Sequence, residues 1–227
     1  MANVLSGDNS SDKYYRHTGF SSTISNSFSS PSVTTTGVSW DGTNVCSADG
    51  STNPGRHYRH SGFSSTISNS FSSLADLVAG ICWDGTNLLD TDTGLGKIYL
   101  HSGFSSTISN SFSSPSTTPW GLTWDNTNVL SGDYTSVKIY LHTGFSSTIS
   151  NSFASPSTSP IGVSWDSANV LSADNALLKI YLHTGFSSTI SNSFSSPSTS
   201  PLGLEWDDRV YFGRFPKGSY YPHILSQ

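Results

Sequence analysis

Histidine and aspartate recur at a regular interval along this sequence, and both residue types bind metal ions and transfer protons. The repeated histidines are His17, His60, His101, His142 and His183. The repeated aspartates are Asp8, Asp49, Asp133 and Asp174, with Asp90 or Asp92 at the corresponding place in the third copy. A metal or catalytic site needs several such groups at one point, whereas one copy per repeat keeps them apart. We therefore expect turn-capping aspartates, histidines in structural hydrogen bonds, and neither a metal nor a cofactor.

These residues belong to a repeat that runs through almost the whole chain. The string Gly-Phe-Ser-Ser-Thr-Ile-Ser-Asn-Ser-Phe begins at Gly19, Gly62, Gly103, Gly144 and Gly185, with spacings of 43, 41, 41 and 41 residues. The pair Trp-Asp recurs with the same spacings, beginning at Trp40, Trp83, Trp124, Trp165 and Trp206. Each copy contains short runs of alternating apolar and small polar residues between Gly, Pro, Asn and Asp, and this pattern predicts four strands without a helix. Repeats of this length and type are typical of propeller blades.

The fourth copy illustrates the predicted blade. We place its strands a to d at residues 121–124, 129–132, 138–142 and 147–153, and its link to the next blade at 156–160. Residues 3–8 copy strand b, and the matching strand a lies at the other end of the chain, at 203–206. Pairing of these two segments would close an all-β, five-bladed propeller over residues 1–212, with a non-repeat tail at 213–227. A sixth, incomplete blade built from 209–212 and 220–223, or closure through a second molecule, is the alternative architecture.

The connectivity of such a blade also assigns its loops to two faces. The a–b and c–d turns share one face and hardly vary, whereas the b–c and d–a loops share the other face and differ between copies. Ligand contacts usually lie on divergent loops of a rigid scaffold. We predict binding residues on the variable face: Trp120, Tyr134, Asp76, Arg56 and Asp92. Drift in a recently amplified scaffold without a defined ligand is the alternative explanation for this divergence.

Composition narrows the possible partners. The net charge is −5, only 11% of residues are charged, and no basic cluster is present, which argues against nucleic acid and anionic membranes as partners. We expect a soluble monomer, cytoplasmic or virion-associated and without a signal peptide, that binds a glycan, a peptide or a protein. Cys46 and Cys82 occupy different places in the repeat, so free buried thiols are expected. No serine lies in a Gly-x-Ser-x-Gly motif, so no catalytic triad can be assigned.

The blade motif itself has a family resemblance. The pattern G-[VIL]-x-W-D-x-x-N-[VL]-x-x-x-D, followed by K-I-Y, a turn glycine and P-x-x-x-P, resembles the blades of NHL, YncE-like and virginiamycin-B-lyase-like propellers. Serine-rich, near-identical copies are also similar to hypothetical proteins of phages and environmental bacteria. The resemblance implies a propeller but leaves function open between binding scaffold and lyase. A lyase of this group would need an unrepeated histidine and carboxylate at the channel mouth, for which His57 and Glu205 are the off-pattern candidates; we expect a non-enzymatic protein.

Overall fold

The fold is a five-bladed propeller, seen in a computed structural model that describes residues 3–50, 54–74, 77–197 and 199–207. These residues form twenty strands and no helix. In chain order, the strands of the first two blades are β1 (Val4–Asp8), β2 (Lys13–His17), β3 (Ile24–Ser29), β4 (Thr35–Trp40), β5 (Val45–Asp49), β6 (Arg56–His60) and β7 (Ile67–Ser72). The third and fourth blades comprise β8 (Val78–Trp83), β9 (Leu88–Asp92), β10 (Lys97–His101), β11 (Ile108–Ser113), β12 (Pro119–Trp124), β13 (Val129–Asp133), β14 (Lys138–His142) and β15 (Ile149–Ala154). The remaining strands are β16 (Pro160–Trp165), β17 (Val170–Asp174), β18 (Lys179–His183), β19 (Ile190–Ser195) and β20 (Pro201–Trp206).

Each blade is an antiparallel sheet of four strands, as the repeat predicts. Blades 2 to 5 follow the chain as β4 to β7, β8 to β11, β12 to β15 and β16 to β19, and blade 1 has the order β20-β1-β2-β3. The predicted c strand is confirmed at both ends. The predicted start of strand a is two residues late, because Pro119 already faces Asp133. A register shift follows Pro119, so a residue without a backbone donor is tolerated at the start of the innermost strand.

The core consists of apolar clusters between consecutive blades. One cluster joins Leu130 and Ile139 of blade 4 to Val163 and Val170 of blade 5, with Phe153 among the aromatic rings packed on it. Phenylalanines also meet across blades, as where Phe112 and Phe145 lie 4.8 Å apart, centroid to centroid, in an edge-to-face arrangement. Burial of one large apolar side chain contributes roughly 1.5–3 kcal/mol. Because every cluster draws on two blades, each blade stabilises its neighbours.

The five innermost strands close the propeller axis almost completely. Each has a glycine at the same place, and these glycines are Gly37, Gly80, Gly121, Gly162 and Gly203. A Cβ on Gly203 would lie 2.7 Å from the backbone nitrogen of Val38, so the strands approach too closely for a side chain there. The cavity among these strands measures only about 10 Å³, which is space for a single water at most. Any ligand site on the axis must therefore lie at one of its two mouths.

The predicted closure between the two ends of the chain is confirmed. β20 pairs antiparallel with β1, and Val4 faces Trp206. In the other blades strands a and b are joined by a turn, which an aspartate caps; here the turn is replaced by contacts between Asp207 and Asn3. Asp207 Oδ1 accepts from Asn3 N at 2.7 Å and Oδ2 accepts from Asn3 Nδ2 at 3.1 Å. The same carboxylate accepts from Arg16 Nε at 2.8 Å.

We expect the D207A substitution to destabilise the ring more than the matched substitution D41A. Asp41 makes the same set of contacts with Asn44 and Arg59, but within a covalent hairpin. Both variants lose a capping carboxylate, which costs about 1 kcal/mol. Only D207A also loses contacts that take the place of a covalent turn, so the first hydrogen bonds between β20 and β1 should fray, and we expect about 1 kcal/mol more destabilisation, the net contribution of one hydrogen bond. Urea unfolding of both variants measures the difference, and equal losses would show that the Asp207 contacts do not hold the ring closed.

The predictions for the cysteines, for a membrane span and for the C-terminal segments can also be compared with the structure. Cys46 and Cys82 are buried and form no disulfide, as predicted. The described residues contain no helix long and apolar enough to cross a bilayer. The boundary at 212 and 213, the tail at 213–227 and the segments 209–212 and 220–223 of the alternative sixth blade lie outside the described residues.

Candidate functional site

The assignment of loops to two faces holds in the structure. On the constant face, Val129 N donates to Gly144 O at 3.2 Å, which joins the a–b turn to the c–d turn. On the opposite face, Tyr134 N donates to Thr118 O at 3.1 Å and joins the b–c turn to the d–a link. The divergent loops therefore lie together on one face, around one mouth of the axis.

A pocket of about 240 Å³ opens on this variable face. Its lining residues are Trp120, Tyr134, Ile161, Asn175 and Leu202. Two of the five predicted binding residues, Trp120 and Tyr134, therefore share one pocket. Tyr134 keeps 47% of its surface exposed, and Trp120 is half-buried, so both rings are accessible from solvent.

Local hydrogen bonds hold Tyr134 in place beside the pocket. Thr135 N donates to Thr118 Oγ1 at 3.0 Å, and the hydroxyls of these two threonines lie 2.5 Å apart. Asp133, directly before Tyr134, accepts from Ser136 N at 2.7 Å and so fixes the other side of the turn. The turn ends at Val137, whose φ of 56° closes the loop back into strand β14. The ring of Tyr134 is thus presented on a rigid turn rather than on a free loop.

The lining determines which chemistry this pocket favours. Trp120 and Tyr134 offer flat aromatic faces, Ile161 and Leu202 are apolar, and the Asn175 amide can both donate and accept. None of these residues carries a charge at neutral pH. The pocket therefore suits an uncharged ligand with a flat apolar face and a few polar groups.

Two other predicted binding residues, Arg56 and Asp92, do not line this pocket. Arg56 is exposed at the start of β6, donates to Ser70 Oγ at 3.2 Å and lies 5.9 Å from the Tyr58 ring centroid. Asp92 is buried, and its Oδ1 accepts from Gly94 N at 2.8 Å and Leu95 N at 3.0 Å. Asp76 lies outside the described residues. Asp92 thus shows the turn-capping chemistry expected of the repeated aspartates.

The repeated histidines make the predicted structural hydrogen bonds in four of the five blades. Each Nε2 lies 2.9 Å from a serine hydroxyl on strand b, in the pairs Ser6–His17, Ser47–His60, Ser131–His142 and Ser172–His183. In blade 4, His142 Nδ1 lies 2.9 Å from Ser146 O. Burial lowers the pKa of these four histidines from 6.5 to about 4, and the facing backbone carbonyl offsets this only in part.

Blade 3 breaks this pattern at a single buried point. Asp90 replaces the serine there, and His57 of blade 2 reaches across the interface. His57 Nε2 lies 2.8 Å from Asp90 Oδ2, and His101 Nε2 lies 3.1 Å from the same oxygen. Burial alone would raise the pKa of Asp90, but its interactions with His101 and His57 hold it well below its usual range. The repeat did not predict the contact between His57 and Asp90, although alignment of Asp90 with Ser6, Ser47, Ser131 and Ser172 marks it as off-pattern.

The structure places both off-pattern candidates for catalysis in the interior. His57 and Glu205 have no exposed surface, and neither lines the pocket on the variable face. Glu205 lies on the innermost strand β20 opposite Leu5 of β1.

Burial raises the pKa of the Cys46 thiol, and the nearby charges of Asp41 and Glu205 raise it further. This environment keeps the thiol protonated and unreactive.

Comparisons with known proteins support the fold. No protein-family model matches the sequence, and neither does the sequence of any curated protein. Among solved structures, the chain is similar to the glutaminyl cyclase of Myxococcus xanthus, with a TM-score of 0.62, 14% identity, and coverage of 75% of this chain and 80% of that one. A chain of a nidogen/laminin complex matches with a TM-score of 0.55 and 14% identity over 91% of this chain and 98% of that one. A chain of a mitotic checkpoint complex matches with a TM-score of 0.53 and 17% identity over 73% of this chain and 51% of that one.

These likenesses show a shared propeller architecture and nothing finer, since all of them are below 20% identity. One neighbour is an enzyme and the other two come from protein complexes, so the fold alone does not choose between these classes.

Proposed function

We propose that this propeller is a non-enzymatic carbohydrate-recognition module and that a sugar residue binds in the pocket of the variable face. The observation that carries the proposal is the meeting of Trp120 and Tyr134, two aromatic residues that the other repeats lack, in one open pocket. One face of a sugar ring is apolar and stacks on aromatic rings, while its hydroxyls need partners such as the Asn175 amide. Burial of His57 and Glu205 supports the non-enzymatic part of the proposal.

The wider setting of this function also belongs to the proposal. The blade motif supports a place among NHL, YncE-like or virginiamycin-B-lyase-like propellers, in a phage or an environmental bacterium. The low content of basic residues supports a glycan rather than a nucleic acid or an anionic membrane as the partner. A closed ring needs no second copy to complete it, which supports a monomer.

We expect a glycan array to give binding that the W120L and Y134N substitutions each weaken. Both variants install residues that the repeat already carries at the same positions, Leu202 for the first and Asn9 or Asn175 for the second, so the fold should persist. Loss of one stacking ring should weaken binding roughly tenfold, the equivalent of about 1.4 kcal/mol. Titration calorimetry with the strongest array ligand measures the change.

The control variant is L177N, which changes an exposed apolar residue on the same face outside the pocket. Its affinity should equal that of the wild-type protein. Unchanged affinity in the double variant W120L/Y134N would remove the pocket from the binding site. Binding of peptides but no glycans on parallel arrays, with the same dependence on the two aromatic residues, would keep the pocket and refute the carbohydrate assignment.

A further inference from the structure

The interface between blades 2 and 3 contains three fully buried groups that can bind a metal ion. They are the imidazoles of His57 and His101 and the carboxylate of Asp90, and one ligand atom from each lies within 4.8 Å of the others. Ser73 Oγ donates to Asp90 Oδ2 at 3.0 Å and orients the carboxylate. Two imidazole nitrogens thus converge on one carboxylate oxygen. None of the three side chains has solvent-exposed surface.

Blade 4 shows which nitrogen of its repeated histidine carries the proton. His142 Nδ1 faces the Ser146 carbonyl, which can only accept, so Nδ1 is the N–H and Nε2 is the acceptor for the Ser131 hydroxyl. The equivalent carbonyls of Ser21, Ser64 and Ser187 face the other repeated histidines of this type. His101 Nε2 lies 3.1 Å from Asp90 Oδ2 outside hydrogen-bond geometry, and His101 Nδ1 has no hydrogen-bond partner. In the tautomer of blade 4, Nε2 and the carboxylate are both acceptors, and they repel each other unless a proton or a metal cation lies between them.

The two departures from the repeat that build this cluster occur together. Asp90 replaces a serine, and His57 replaces a residue that is isoleucine in blades 3, 4 and 5, at Ile98, Ile139 and Ile180. A buried carboxylate without a cation is costly, so the serine-to-aspartate change alone would destabilise the interface. The accompanying change to His57 adds a second nitrogen ligand rather than a permanently charged residue. A second nitrogen ligand is typical of a metal site.

We propose that His57 Nε2, His101 Nε2 and the Asp90 carboxylate bind one divalent transition-metal ion of the zinc class between blades 2 and 3. Zinc lies about 2.0–2.2 Å from imidazole nitrogen and carboxylate oxygen, so small shifts of these three side chains would accommodate it. Two imidazoles favour Zn²⁺, Co²⁺, Ni²⁺ or Cu²⁺ over Mg²⁺ and Ca²⁺, which prefer oxygen ligands. The site cross-links two blades, which is a structural rather than a catalytic role, and it is independent of the carbohydrate pocket.

Metal analysis of the purified full chain tests the proposal directly. The protein is stripped with a chelator under mild denaturation, refolded with Zn²⁺ or Co²⁺, desalted and measured by mass spectrometry for metal content. We expect about one ion per chain, visible ligand-field bands from bound Co²⁺, and a higher melting temperature than that of the stripped protein.

The repeat supplies matched loss-of-site variants. D90S restores the serine of the other four blades and H57I restores the isoleucine of three, so both variants should fold and should lose the ion. Circular dichroism confirms folding. Equal metal content in D90S, H57I and wild type would show an adventitious ion only and would overturn the proposal, as would a wild-type chain without metal whose melting temperature Zn²⁺ does not change. If Zn²⁺ has no effect, a proton shared between the imidazoles and the carboxylate stabilises the cluster instead.

The same logic allows the site to be copied. The double variant I98H/S131D places the same residue types between blades 3 and 4, next to His142. Ser114 stands there in the place of Ser73, with a buried hydroxyl that has no hydrogen-bond partner. Metal content should rise from about one ion per chain to about two. Failure of I98H/S131D to gain an ion while folding normally would count against the geometric argument.

Discussion

Acidification from pH 6.5 toward pH 4 should unfold this protein. Four buried histidines have folded-state pKa values of about 4, against 6.5 for the ordinary side chain. In this window the unfolded chain binds protons on these imidazoles, while the folded protein keeps them neutral. Protonation therefore favours the unfolded state, and stability is complete above pH 6.5 and falls as the pH decreases through the window.

The expected size of this effect exceeds that of any single substitution outside the core. A pKa difference of this size corresponds to roughly 3 kcal/mol for one histidine, so four of them together correspond to roughly 12 kcal/mol. A domain of this kind has a total stability of about 5–15 kcal/mol. We therefore expect cooperative acid unfolding at about pH 5.

Urea titrations at a series of pH values measure the effect as the slope of unfolding free energy against pH. Near the middle of the window the slope should correspond to between three and four protons, roughly 4–5 kcal/mol per pH unit. Replacing one histidine by a residue that does not titrate, as in H142Q, should lower the proton uptake by about one. A stability that stays constant between neutral pH and the middle of the window would disprove the neutral, buried state of these imidazoles.

The sequence predicted this histidine chemistry because repetition carries positional information. A histidine that recurs at the end of every c strand, always next to the same turn, must have a partner that also recurs. The same reasoning located the blade boundaries and the closure of β20 on β1, since Val4 to Asp8 and Pro201 to Trp206 are the two halves of one repeated hairpin. Connectivity then assigned the loops to faces. These features depend on order along the chain, which a sequence contains.

Two other features depend on distances between different copies, which the repeat does not give. The pocket forms because Trp120 of blade 4 and Leu202 of β20 meet around the axis mouth, although they are far apart in sequence. The cluster of His57 and Asp90 forms because strand c of one blade packs on strand b of the next. Asp92, by contrast, was a binding candidate because of its variable loop, and its carboxylate caps that loop. The sequence does not give the contacts that residues of one blade make with residues of the next.

The closed axis leads to the second large effect, a severe loss of stability in the G80A variant. A methyl group on Gly80 would overlap the backbone carbonyl of Trp120 and lie 3.0 Å from Leu122 Cβ. Neither partner is the end of a flexible side chain, so the two innermost strands would have to separate. Overpacking of this kind costs about 3 kcal/mol or more, which is a melting temperature lower by about 6–12 °C for a chain of this size.

G7A is the matched control for G80A because Ala48 and Ala173 occupy the position of Gly7 in other blades. A methyl group on Gly7 meets only side-chain atoms, with Thr35 Cγ2 at 3.1 Å and Tyr14 Cε1 at 3.2 Å, which can shift. We expect G7A to cost less than about 1 kcal/mol. Calorimetric melting of both variants decides the point, and similar melting temperatures would mean that the inner strands have room to move apart.

The G80A variant also links the axis to the proposed carbohydrate pocket. The carbonyl that the new methyl group displaces belongs to Trp120, whose ring lines the pocket, so a shift of β12 would move the stacking surface. We therefore expect glycan affinity to fall in G80A even at temperatures where the variant remains folded, and to be unchanged in G7A. A stacking contact depends on the position of the ring to within a fraction of an ångström, because dispersion decays steeply with distance. If G80A loses stability but retains wild-type affinity, the inner strands transmit no strain to the pocket, and Trp120 is held there by its own loop.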